Sequence, residues 1–177
     1  FNTIKPSLFS TQYHGPLSYS LVDPGLVGGA MKTIRQILKV KGRKIWTTSP
    51  AARVIDALQV MAEKDVGALL VVDGKTLIGV FSERDYARKV ILLGKSSKNM
   101  RVSEIMSSPP IFIEPDNTVE QGLALMSAKH IRHLPVMEKN RLVGIVTIGD
   151  LVRSLIEEQK VVIDHLEKYI VSNTSIT

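Results

Sequence analysis

The chain has 177 residues, 23 Lys and Arg against 17 Asp and Glu for a formal charge of +6, and no cysteine. The missing thiols exclude disulfides, thiolate metal sites and cysteine nucleophiles, and no apolar stretch reaches the roughly 18 residues that span a bilayer. The basic residues are scattered with no run of five, so neither a nucleic-acid footprint nor a membrane span is read, and the charge implies only weak attraction to anions.

Residues 1–30 differ in kind from the rest of the chain, being rich in Ser, Thr, Gly and Pro, with Asp23 the sole acid and Lys5 the sole lysine. Two readings stand: an organellar transit remnant, acid-poor but without the usual arginines, and a plain flexible leader. After it, Thr33–Leu38 reads as a short helical lead-in.

From there the sequence repeats itself. Residues 46–91 align without a gap on residues 111–156 at a constant offset of 65, with 12 of the 46 pairs identical. Pro50/Pro115, Val54/Val119, Leu58/Leu123, Met61/Met126, Leu69/Leu134, Gly79/Gly144 and Asp85/Asp150 are among them. Matches on turn and core positions mark one structural unit used twice.

In the first copy, Ser49 with Pro50 behind it signals a helix start. An apolar strand follows at Ala68–Val72, then the turn Asp73-Gly74-Lys75, a second strand at Leu77–Phe81, and a helix from near Glu83. A linker, Leu93–Arg101, leads to a second short lead-in, Val102–Met106. In the second copy Asp116 is positioned to N-cap a helix on which Val119, Leu123 and Met126 share one face. Strands at His133–Met137 and Leu142–Val146 flank the turn Glu138-Lys139-Asn140, and a helix begins near Ile148. Each copy thus reads strand, helix, strand, strand, helix, an α/β (α+β) class. Each spans only about 60 residues, a size at which a solitary core is marginal, so the copies are expected to pack together. The division is a leader at 1–30, a first repeat at 31–95, a second at 96–157, and a helical extension and tail at 158–177. Val152, Leu155, Ile156, Val162, Ile163, Leu166, Tyr169 and Ile170 form one apolar stripe near the helical period, predicting a final helix of about 20 residues that packs on its own domain or contacts another subunit.

The residues able to do chemistry cluster at equivalent places. In Gly144-Ile-Val-Thr147-Ile-Gly149-Asp150 and Gly79-Val-Phe-Ser82-Glu-Arg84-Asp85 a strand ends in a hydroxyl residue and an Asp follows in the first helical turn. Such an Asp is either a cap, stabilising by about 1 kcal/mol, or a carboxylate that accepts both hydroxyls of a ribose while the Ser or Thr and helix N–H groups face an anion. Ile131-Arg132-His133-Leu134-Pro135-Val136 adds two basic groups at a strand start, suited to phosphate, where the first copy has Gly67-Ala68. Any anion site is therefore expected to be asymmetric. His130 and His133 straddle a helix-to-strand junction without carboxylate support, so no metal is expected. Glu83 and Asp85 lack a nucleophile or acid partner, so no catalysis is expected. Met61, Met106 and Met126 read as core fillers, and His14 and His165 as surface residues.

These motifs resemble the cystathionine β-synthase (CBS) domain, and the pair resembles a Bateman module, over about residues 31–157. SERDYARKV at 82–90, GKSSK at 94–98 and LEKYI at 166–170 further resemble stand-alone CBS-pair proteins of bacteria and plant organelles. The resemblance implies a pseudo-twofold pair that binds AMP, or another adenosyl compound such as ADP, ATP, NAD(H) or S-adenosylmethionine, in the cleft between copies, without catalysis. It implies that Asp150 holds the ribose, that Thr147 contacts ribose or phosphate, and that Arg132 and His133 take the phosphate. The backbone at Leu134 and Pro135 would flank the adenine, with Ile111 and Ile113 as its apolar wall. Ser82, Arg84 and Asp85 are the counterparts in the first copy, and Lys95, Ser96, Ser97 and Lys98 reach a phosphate or remain a solvated connector. A homodimer is implied, as is either an organellar location, mitochondrial by preference, in a eukaryote or a cytoplasmic one otherwise. The rival reading is an interaction module with a vestigial cleft, acting on a partner such as a thioredoxin-type system.

Overall fold

The computed structural model describes residues 31–174; the readings of residues 1–30, His14 included, and of the final three residues fall outside that span. Helix α1 (Ile34–Lys41) is followed by strand β1 (Thr47–Thr48), helix α2 (Val54–Lys64), strands β2 (Ala68–Asp73) and β3 (Thr76–Ser82), and the short helix α3 (Glu83–Tyr86), which continues as one wide turn over Ala87–Ile91. After a single 3₁₀ turn at Val102–Glu104 come helix α4 (Val119–Lys129), strands β4 (His133–Glu138) and β5 (Arg141–Thr147), and helix α5 (Ile148–Thr174).

The duplication extends to fine detail. Strands β2 and β3 pair antiparallel from Ala68↔Ser82 to Asp73↔Thr76 and slip at Val71/Val72, and β4 and β5 pair from His133↔Thr147 to Glu138↔Arg141 and slip at the equivalent Val136/Met137. Helices α2 and α4 both end on a non-glycine residue in the left-handed region, Asp65 at φ 51° and His130 at φ 52°, a conformation that Asp and His adopt more readily than most residues.

The copies differ at their first strand. In the first, β1 runs parallel to β2 and Leu70 N–H donates to the Trp46 carbonyl at 3.1 Å. In the second, Pro135 occupies the position equivalent to Leu70 and has no N–H to donate. The expected strand shrinks there to a single bridge, Ile113 with Val136.

Two helix starts are also corrected. Thr118, not Asp116, caps α4, in a reciprocal box with Gln121. The turn closed by Asn117 N–H on the Glu114 carbonyl delays the helix past Asp116, whose carboxylate instead meets Arg35 at 2.8 Å. Helix α2 begins after Arg53 with no side-chain cap. Ser49 Oγ accepts from Ala51 N–H within the preceding turn, and the first helical N–H, from Val54, is satisfied by the Met100 carbonyl at 2.9 Å.

The two lead-ins are exchanged. Ile34, Ile37 and Leu38 of α1 are buried with Ile113, Val119, Met126, Leu134, Val136, Val146 and Leu151, which makes α1 part of the second copy's core. Val102 and Ile105, which precede the second copy in sequence, are buried with Val54, Met61, Leu69, Val71, Phe81 and Val90 of the first. Arg35 fixes α1 in place by reaching both Asp116 and Glu138 at 2.8 Å. Each small core is thereby enlarged by an element that lies outside its aligned repeat, which is how units of this size reach adequate burial.

Helix α5 has 27 residues, longer than the stripe predicted. Leu151 and Ser154 are buried, so packing on its own domain holds for the first turns. Farther along, Val161, Ile163 and Leu166 are more than half exposed.

Candidate functional site

The two strand-to-helix junctions start from the same local chemistry. Thr147 N–H and Oγ1 donate to Asp150 Oδ2 at 2.7 and 2.8 Å, and Asp150 N–H returns a bond to Thr147 Oγ1 at 3.2 Å. Ser82 and Asp85 repeat the arrangement, with N–H and Oγ donating to Oδ2 at 3.0 and 2.6 Å. Both aspartates therefore serve as caps, satisfying backbone donors that a helix start leaves free.

The second carboxylate oxygen separates them. Asp85 Oδ1 accepts Ser107 Oγ at 2.8 Å and meets Lys89 Nζ at 2.8 Å, so both of its oxygens are taken and the residue is buried. Burial raises its carboxyl, but the bonds from Lys89, Ser82 and Ser107 outweigh it and hold the group below the ordinary carboxylate value. At Asp150 the partners among the described residues all converge on Oδ2, where Lys41 Nζ joins Thr147 at 2.5 Å. Oδ1 is left able to accept. This carboxyl too lies below its ordinary value, burial being outweighed by Lys41 and Thr147.

Lys41 was missed from the sequence. It stands at the end of α1, 109 positions before Asp150, and only the exchange of lead-ins brings it there. Its ammonium also donates to the Ile145 carbonyl at 3.2 Å. In the first copy the equivalent carbonyl, Val80, accepts Ser107 N–H at 2.8 Å. One lysine thus takes the place of the Ser107 N–H at that carbonyl, and it bonds the aspartate at Oδ2 where Ser107 and Lys89 use Oδ1.

At the start of β4 the Arg132 carbonyl accepts Ile148 N–H at 3.0 Å, tying the basic pair to the α5 junction. His133 is half-buried. Burial, then the Lys41 and Arg132 cations, push its imidazole below the ordinary value against a smaller pull from Asp150. A β-carbon on Gly67, the counterpart of Arg132, would make ordinary contact with the His133 ring at 3.6 Å and lie 3.3 Å from Glu83 Oε2.

Arg84 crosses to the second copy, its guanidinium donating to the His130 carbonyl at 2.5 Å. Together Arg84, Ser127, His130 and Arg132, with Leu123, Met126, Ile131 and Ile148, line an open hollow of about 270 Å³. It has two guanidiniums over an apolar floor, a surface suited to an anion with an apolar body. Thr147 and Asp150 are not in its lining, though Ile148 connects the two places along the chain.

Other expected site residues lie elsewhere. Ile113 is 4% exposed within the second core, and its backbone is bonded to Pro135 and Met137, so of the apolar wall only Ile111 keeps surface to offer. Leu134 and Pro135 are buried, with Pro135 paired to Ile145 in the ladder. The contacts of Lys95 and Lys98 are local: Lys95 N–H to the Val90 carbonyl at 3.0 Å and Lys98 N–H to Ser96 Oγ at 3.4 Å. Neither these, nor Ser97 between them, line the hollow. Among the described residues no group of three His, Asp or Glu is placed to hold a metal.

Comparison with known proteins gives a consistent assignment. The family model described as CBS domain matches residues 35–91 and 102–157. The mitochondrial CBS domain-containing protein CBSX3 of Arabidopsis thaliana is 33% identical over 177 residues, 94% of this chain and 84% of the relative. A putative signal-transduction protein with CBS domains from Burkholderia ambifaria has a solved structure 47% identical, TM-score 0.69, covering 72% of this chain and 96% of that one. The CBS domain pair of protein MJ0100, solved with 5′-methylthioadenosine and S-adenosyl-L-methionine, shares the fold at 24% identity and TM-score 0.64, over 73% of this chain and 99% of that one.

Proposed function

Because this chain belongs to the CBS-domain family and carries two copies of the domain, we propose that it is a regulatory module binding AMP or a related adenosyl nucleotide beside its second copy. The observation that carries this reading is the difference between the two aspartates. Asp85 has both oxygens engaged by its own chain, whereas Asp150 keeps Oδ1 for a ribose hydroxyl while Oδ2 stays pinned. Arg132 and His133, joined to the same junction through Ile148, are the seat for the phosphate, and Arg84 closes the seam from the other copy. The first half-site is closed to ribose.

Regulation follows from differential affinity, since a ligand shifts a conformational equilibrium only as far as it prefers one state. The equilibrium concerned is the seating of one copy against the other and the association of a second copy of the chain along α5. The location we favour is the mitochondrion, on the strength of the named Arabidopsis relative.

Calorimetry and thermal melting with adenosine, AMP, ADP, ATP, NAD(H) and S-adenosylmethionine test the ligand class; AMP is expected to bind and raise the melting temperature. A second reading has its own support: Asp150 already has an internal counter-charge in Lys41, as an interaction module with a vestigial cleft requires. Silence across the whole panel, together with capture of a partner such as a thioredoxin-type enzyme, would favour that reading.

A further inference from the structure

We propose that Lys41 is a ligand-selecting residue of the Asp150 site, contributed by the exchanged helix, and that it makes α1 the element that responds when the site fills. The inference rests on the reading of that site as nucleotide-binding. Lys41 Nζ bridges Asp150 Oδ2 at 2.5 Å and the Ile145 carbonyl at 3.2 Å. In the first copy the equivalent carbonyl is met by the Ser107 N–H, and the aspartate takes its cation, Lys89, from four residues on in its own helix turn, on Oδ1. The second copy instead takes its cation from the exchanged helix and places it on Oδ2.

A cation there has a consequence for anions. Lys41, at the end of α1, and Arg132, just before β4, both act electrostatically on His133, the first residue of β4. A phosphate at that strand start feels both cations, while the Asp150 charge that would repel it is neutralised by the same ammonium. An uncharged nucleoside meets Asp150 at Oδ1 and gains nothing from Lys41 on Oδ2. Lys41 thus favours phosphorylated over unphosphorylated ligands. Since it ends α1, immediately before Gly42 at φ 88°, a phosphate that draws on its ammonium holds the last turn of α1 against the second copy.

The test compares AMP with adenosine by calorimetry on the full chain, wild type against Lys41→Met and Lys41→Arg, with amide exchange followed over α1. Loss of one charge-assisted contact predicts that Lys41→Met weakens AMP by roughly 10- to 100-fold and leaves adenosine unchanged. Lys41→Arg, which keeps the charge and safeguards folding, is expected to retain the preference for AMP. AMP should slow exchange at Ile37–Lys41 in wild type and in Lys41→Arg but not in Lys41→Met. Equal weakening of both ligands, or unchanged AMP affinity in Lys41→Met, overturns the role of Lys41 while sparing the site. Absence of binding by wild type overturns the nucleotide reading and Lys41 with it.

Discussion

Leu38 lies across Gly144 so closely that a β-carbon at residue 144 would stand 2.6 Å from Leu38 Cδ2. The first copy repeats the approach with backbone: a β-carbon at Gly79 would be 2.9 Å from the Ser107 carbonyl oxygen. The shared glycine of the repeat is thus the point where an exchanged lead-in crosses the sheet. Overpacking there costs about 1–3 kcal/mol, so Gly144→Ala and Gly79→Ala should each lower the melting temperature by several degrees. Gly79→Ala should cost more, since a backbone carbonyl yields less than a leucine side chain. Gly149→Ala, within α5 and with nothing nearer its added carbon than Thr147 Oγ1 at 3.7 Å, should hold or raise the melting temperature and is the steric control in the same melts.

The two aspartates predict opposite phenotypes. Asp85 is buried and holds Ser82, Ser107 and Lys89 together, so Asp85→Ala removes a helix cap and strips Ser107 of its acceptor and should cost about 1–2 kcal/mol, read by denaturant unfolding. Asp150→Ala should weaken adenosine and AMP alike by tenfold or more, whereas Arg132→Ala should weaken AMP far more than adenosine. Calorimetry with both ligands separates the cases, and equal losses for the two ligands in Arg132→Ala would remove Arg132 from the phosphate.

Acidification should act in two separate windows. His133 lies below its ordinary value of 6.5, so between its folded value and 6.5 the unfolded chain binds a proton that the folded chain does not. Stability therefore rises with pH across that window and levels off above it. Asp85 and Asp150 are depressed below 3.8, so their contribution is full above that value and is lost as pH falls through the folded values. In His133→Asn the upper slope should vanish and the lower one remain, as measured by urea unfolding across a pH series. A phosphate bound beside the ring favours its protonated form, so AMP should bind with more proton uptake in the wild type than in His133→Asn, detected calorimetrically in buffers of different ionisation enthalpy.

What the sequence made legible was whatever recurs at a fixed offset. The strands, their turns, the junctions at Ser82 and Thr147 and the basic pair at 132–133 all belong to the repeat or to a departure from it. Lys41 stayed hidden because its partner is 109 positions away and lies in the other copy. Ile113 misled because an apolar residue at a strand start can wall a cleft or fill a core, and only the bridge to Val136 decides which. Asp116 misled because its side chain suits a cap as well as Thr118 does, and the choice was made by a turn one residue farther on.

The exposed part of α5 carries the remaining prediction. Leu155 and Val162 lie at seven-residue spacing, as do Ile156 and Ile163 beside them, with Val152 and Leu166 completing the seam. A seven-residue apolar repeat is the signature of a helix that supercoils with another helix. Ile163 is 52% and Leu166 57% exposed, so the seam offers apolar surface to another helix. Lys160 and Glu167 flank the seam on the same side. In an antiparallel pair of identical helices centred between them, each lysine faces the partner's glutamate. A second copy of this chain is therefore the expected partner. Light scattering should give twice the 19.5 kDa chain mass for the wild type and the single-chain mass for Ile163→Glu with Leu166→Glu. Lys160→Glu should weaken the dimer, and adding Glu167→Lys should restore it. A wild type that runs as a monomer at high micromolar concentration, or a double glutamate variant that stays dimeric, would exclude this seam.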